Sequence, residues 1–127
     1  MTSQDTITAA EYRSKISEHA LQVELCKFLK VQAQPECFWF AVGNGGRRSI
    51  GVAKKMKAEG VKPGVADLAF MLPLGRMAWL ELKIKGGSLS AEQREFRQIC
   101  DRLDHPYAVA KSVDEAVMFL KHVGALR

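Results

Sequence analysis

The chain is short of the residues that staple or metallate small proteins. Of its 127 residues only three are cysteine, Cys26, Cys37 and Cys100, an odd number with no Cys-x-x-Cys and no paired spacing. That argues against a disulfide framework, and Cys26 and Cys100 fall at apolar helical positions, as reduced core residues do. His19, His105 and His122 are equally scattered, with no His-x-x-x-His, so no zinc site is expected. No apolar run is long enough for a membrane span, and no signal-peptide pattern, internal repeat or low-complexity stretch is visible. The expectation is a cytoplasmic protein of a bacterium or a phage-infected cell. Its length suits one domain with a real core: residues 1–14 are polar and expected to be flexible, and residues 15–127 form the domain.

What is present in excess is positive charge, unevenly placed. Residues 1–42 carry four basic and five acidic groups and residues 63–127 carry nine and eight, whereas residues 43–62 carry six and one. The net charge of +5 therefore resides in Arg47, Arg48, Lys54, Lys55, Lys57 and Lys62, offset by Glu59 alone, beside a loop of Gly43, Asn44, Gly45 and Gly46. Such segregation fits contact with nucleic-acid phosphates. A solvated helix face accounts for it equally well on charge alone, and tight-turn geometry competes with a binding role for Asn44.

Periodicity predicts the elements. A helix starts near residues 14–17, repeats Leu21, Leu25, Phe28 and Leu29 at helical spacing, and stops before Pro35. Residues 37–42 form an apolar run read as a strand buried on both faces. Ser49 caps a helix to about Glu59, with Ile50, Ala53 and Met56 inward, the lysines outward and Gly60 terminating it. Ser90 and Gln93 make a capping box for a helix with the stripe Phe96, Ile99, Cys100 and Leu103. Residues 107–110 read as a strand. Ser112 and Glu115 make a second capping box for a helix that ends at Gly124. The order is helix, strand, helix, strand, strand, helix, strand, helix: an α/β layout with a small mixed sheet flanked by helices.

The most informative part is the predicted hairpin of residues 65–72 and 77–84. If Leu72 and Arg76 close a three-residue loop with Gly75 left-handed, Asp67 lies opposite Glu81 and Lys83 follows on the same face. Alternation then puts Asp67, Ala69, Met71, Met77, Trp79, Glu81 and Lys83 on one surface and Leu68, Phe70, Leu72, Ala78, Leu80, Leu82 and Ile84 on the other. Two carboxylates opposed at about 5 Å between Cβ atoms repel. A hard divalent cation compensates them, and Mg²⁺ takes carboxylate oxygens while keeping waters. The competing reading makes Glu81 and Lys83 ordinary solvent-facing residues of a half-buried hairpin, and Trp79 reads better as packing than as a base-stacking surface.

These motifs in this order resemble the VRR-NUC (virus-type replication-repair nuclease) group of the PD-(D/E)XK nuclease superfamily. The matching segments are Asn44-Gly45-Gly46-Arg47-Arg48, Gly64-Val65-Ala66-Asp67-Leu68, Glu81-Leu82-Lys83 and Leu89-Ser90-Ala91-Glu92-Gln93, with Ser17-Glu18-His19-Ala20-Leu21-Gln22 fitting the family's first helix. The match spans about residues 16–122. Ala66 stands where the family commonly has Pro, a departure that removes stiffness and no ligand.

The resemblance implies a restriction-endonuclease-like αβββαβ core with an extra helix after the first strand. It also implies metal-dependent phosphodiester hydrolysis, with Asp67, Glu81 and the backbone carbonyl of Leu82 holding Mg²⁺ or Mn²⁺ and Lys83 orienting the attacking water. Glu18 completes the acidic cluster or supports a second metal; the helix dipole is its other explanation. Gln93 belongs near the catalytic Lys in the family, alongside its capping role. The expected substrate is DNA, branched as in four-way junctions, met by a homodimer of phage or prophage type. A non-catalytic nucleic-acid-binding module and another PD-(D/E)XK branch, such as a restriction-type nuclease, are the alternatives.

Overall fold

A computed structural model describes residues 8–43 and 49–127. The elements are α1 (Ala9–Gln32), β1 (Phe38–Ala41), α2 (Ile50–Ala58), β2 (Leu68–Leu72), β3 (Arg76–Leu82), α3 (Ala91–Arg102), β4 (Tyr107–Ala110) and α4 (Val113–His122). One sheet has the order β1-β2-β3-β4, antiparallel up to β3 and parallel between β3 and β4, where α3 supplies the crossover.

The hairpin forms in the expected register, with Leu72 opposite Arg76 and Leu68 opposite Leu80. Gly75 takes φ +73°, and Leu74 is left-handed as well, at φ +64°. Both strands are shorter than predicted: Asp67 lies one residue before β2 and Lys83 one residue after β3. Alternation then separates two faces. Leu68, Phe70, Leu72, Ala78, Leu80 and Leu82 join Leu25 and Leu29 of α1 and Ala116 and Leu120 of α4 in the core. On the opposite face α3 covers the β3–β4 half, setting Phe96 edge-on to Trp79 (5.2 Å between centroids) and to Tyr107 (6.1 Å).

Several expectations need correction. Helix α1 begins at Ala9, because residues 9–13 are helix-tolerant although they lack the apolar stripe that periodicity detects. The strand at Phe38–Ala41 is an edge strand with Trp39 against the core and Phe38 and Phe40 exposed, so it is not buried on both faces. Helix α2 is capped by Ser49 and stopped by Gly60 at φ +95°, but it buries no residue, and Ile50 and Ala53 are exposed. Leu103 caps α3 and is exposed, off the stripe assigned to it. Ser112 caps α4, whereas Glu115 accepts from the N–H of Lys111 (3.0 Å) instead of closing the box on Ser112. The three cysteines are free, and burial raises each thiol, Cys100 to about 11.

Candidate active site

At the end of the sheet where β2 starts and β3 finishes, three backbone segments converge. The N–H of Val42 donates to the carbonyl of Asp67 (2.9 Å), extending the β1–β2 ladder past the last paired residues. Asp67 Oδ2 accepts the N–H of Leu82 (2.7 Å), so its side chain bonds β3 where the main-chain ladder has stopped. The N–H of Lys83 donates to Ala110 of β4 (3.0 Å). Leu68 and Leu82, buried in the core, anchor the chain on either side of the polar groups.

Glu81 is the one buried charged residue among those described, 2 % exposed. Its Oε2 accepts from Gln93 Nε2 (3.3 Å) and lies 3.8 Å from Lys83 Nζ. Its Oε1 is buried and, among the described residues, receives no N–H or O–H, while the Glu81 and Asp67 carboxyls lie close enough to hydrogen-bond through one shared proton. Gln93 both caps α3 and reaches Glu81, rather than Lys83, with its side chain. Its N–H donates to Ser90 Oγ (3.2 Å) and its Oε1 accepts the N–H of Ser90 (2.9 Å), which leaves Nε2 aimed at Glu81. The loop before Asp67 is seated against the same helix start: at Gly64, φ +83°, an added Cβ would lie 2.4 Å from the backbone carbon and oxygen of Glu92.

The electrostatics follow from crowding. Burial, then the negative charge of Asp67, pushes Glu81 up to about 8; Lys83 opposes the shift and Glu18 adds slightly to it. Asp67 is raised as well, by burial, with the Leu82 N–H working against it. Tyr107 shares the face, and its phenol is raised by burial and secondarily by Glu81. Without a cation the pair therefore holds a proton near neutral pH.

A buried carboxylate oxygen that receives no N–H or O–H is rare and asks for an explanation. The donor set fits a hard divalent cation: two carboxyls close together, with Lys83 beside them. No group of three or more His, Cys, Asp or Glu side chains suited to holding a metal occurs among the described residues. Backbone carbonyls, waters or substrate oxygens would have to complete the shell, which is the habit of Mg²⁺.

The fold thus brings Asp67, Glu81, Lys83 and Gln93 together and puts Glu18 within electrostatic reach of Glu81. Lys54, Lys55, Lys57 and Lys62 are exposed on or just after α2, and among the described residues none forms an ion pair. Asn44, Arg47 and Arg48 lie outside the described residues. Sequence reasoning missed Tyr107, whose position needs the β3–β4 register, and the open pair Phe38 and Phe40, which a strand without polar alternation conceals.

No protein-family model matches the sequence, and no curated protein matches it. Solved structures do match in fold. One, described as "VRR_NUC domain", superposes with a TM-score of 0.58 at 16 % identity over 84 % of this chain and 96 % of its own. Another, described as "VRR_NUC domain protein", gives 0.62 at 21 % identity over 82 % and 84 %. At such identities the likeness establishes the fold, a four-stranded mixed sheet flanked by helices and shared with VRR_NUC domains. It coincides with the family that the short motifs resemble.

Proposed function

We propose that the protein is a metal-dependent DNA nuclease whose centre is Asp67, Glu81 and Lys83. The observation that carries this reading is the crowding of the Asp67 and Glu81 carboxyls beside Lys83, with Glu81 Oε1 buried and receiving no N–H or O–H among the described residues, on the fold of VRR_NUC domains. Asp67 and Glu81 would hold Mg²⁺ or Mn²⁺, with the Leu82 carbonyl as a further donor and Glu18 near enough to serve a second ion. A cation held there would supply Lewis acidity toward the scissile phosphate and the attacking water.

The remaining roles belong to the chain's own groups. Lys83 orients the water and offsets charge that develops on the phosphate oxygens. Gln93, itself locked by the Ser90 cap, keeps the Glu81 carboxylate turned toward the site. Lys54, Lys55, Lys57 and Lys62, with Arg47, Arg48 and Asn44, contact phosphates. One chain offers one such centre, so paired cuts in a branched substrate call for a homodimer.

Cleavage of linear, flapped, forked and four-way DNAs with Mg²⁺ or Mn²⁺, run beside analytical ultracentrifugation, tests the reading. Metal-dependent cutting that favours the branched DNAs, by a dimer, is expected. Binding without cutting in either metal would instead favour a non-catalytic module.

A further inference from the structure

On the face that carries Asp67 and Glu81, α3 packs through Phe96 against Trp79 of β3 and Tyr107 of β4. Among the described residues three side chains of β1 and β2 on this face stay exposed around the buried Ala69: Phe38 is 64 % exposed, Met71 48 % and Phe40 38 %. These residues form one block, since Phe38 stands opposite Met71 and Phe40 opposite Ala69, and the next residue of that parity, Val42 just past the end of β1, donates its N–H to the carbonyl of Asp67. Phe40 is thus about 7 Å along the strand from the row of the acidic pair. The two phenyl rings lie 5.8 Å apart at an interplanar angle of 37°.

We propose that Phe38 and Phe40 are a stacking platform for unpaired nucleotide bases of the strand that crosses the acidic centre. The proposal rests on the nucleic-acid reading above and narrows its substrate to DNA with unpaired nucleotides beside the scissile bond. Three partly exposed side chains offer far less than the roughly 800 Å² per partner that a stable interface buries. A second copy is therefore a poor occupant of this patch alone. The chain continues from β1 into the basic segment, whose Lys54, Lys55 and Lys57 are exposed. A ligand that offers flat apolar faces and phosphates in the same repeat is a single nucleic-acid strand. A duplex hides those faces in its own stack.

The test measures binding in EDTA, so it does not depend on catalysis. Full-length wild type, the Phe38→Leu/Phe40→Leu double variant and Phe40→Trp are titrated with oligodeoxyadenylate carrying 2-aminopurine and with duplex of equal length. The leucines keep the strand edge apolar and remove the π faces. Wild type should quench the 2-aminopurine, and the double variant should lose the quenching and bind the single strand about 10-fold or more weakly. Duplex binding should change less than about twofold, and Phe40→Trp should bind the single strand at least as tightly as wild type. Equal losses on both DNAs, or single-strand binding unchanged by leucine, would overturn the platform. A double variant that sediments as a monomer where wild type is a dimer would assign the patch to a second copy and overturn it too. If Asp67→Asn abolishes cleavage while these binding differences are absent, the nuclease reading stands and only the platform falls.

Discussion

The chemistry at residue scale turns on Glu81. In the unfolded chain its carboxyl has an ordinary pKa near 4.5, and in the metal-free folded protein burial and Asp67 raise it to about 8. Between those values the folded state binds the extra proton, so metal-free stability falls as pH rises from about 4.5 to about 8, with the penalty complete above it. Glu81→Gln cannot ionise. It should flatten that slope and melt on the order of 5 °C higher than wild type at pH 8.5 in EDTA, as thermal denaturation across pH would show. Adding Mn²⁺ should raise the wild-type midpoint and leave Glu81→Gln unmoved. The opposition of Asp67 and Glu81 was legible because a three-residue loop and strict alternation determine register together. The bond from the Leu82 N–H to Asp67 and the buried Oε1 were not, since both arise where the ladder ends.

Between elements, the start of α3 is the joint that unites the site. Ser90 caps the helix and orients Gln93 toward Glu81, while Gly64 seats the loop that leads to Asp67 against Glu92. Gly64→Ala would force backbone against backbone at a left-handed φ. It should cost about 2–3 kcal/mol of stability in urea titrations and lower kcat well beyond the loss expected from unfolding. Gly75→Ala separates the two causes, because Gly75 has φ +73° with open space around it. About 1 kcal/mol and no change in kcat are expected there. The three capping serines and the glycine stops could be read from local chemistry. The edge position of β1 could not: Phe38, Trp39, Phe40 and Ala41 are all apolar, so period carries no signal for the solvent side, and strand order is set by distant pairing. The exposure of α2 escaped for a related reason, since an apolar spacing shows that a face exists without showing that anything covers it.

For the whole molecule, element order was enough to foresee a small mixed sheet between helices, because each amphipathic segment has few places to bury its apolar side. Charge segregation was equally visible. Its consequence is measurable: replacing Lys54, Lys55 and Lys57 by Gln should weaken DNA binding and reduce the slope of log K against log salt by about 2–3, since each lost phosphate contact releases one counterion fewer. An unchanged slope would place those lysines away from the DNA.

The central claim, that Asp67, Glu81 and Lys83 form a hydrolytic metal centre, is tested most directly by single-turnover cleavage of a branched DNA in Mg²⁺ or Mn²⁺. Wild type, Asp67→Asn and Lys83→Ala should be compared at matched fractions of bound substrate. Wild type should cut only with metal, and each variant should be at least about 100-fold slower with DNA affinity and melting point close to wild type. Cleavage at the wild-type rate by either variant, or by wild type in EDTA, would contradict the account.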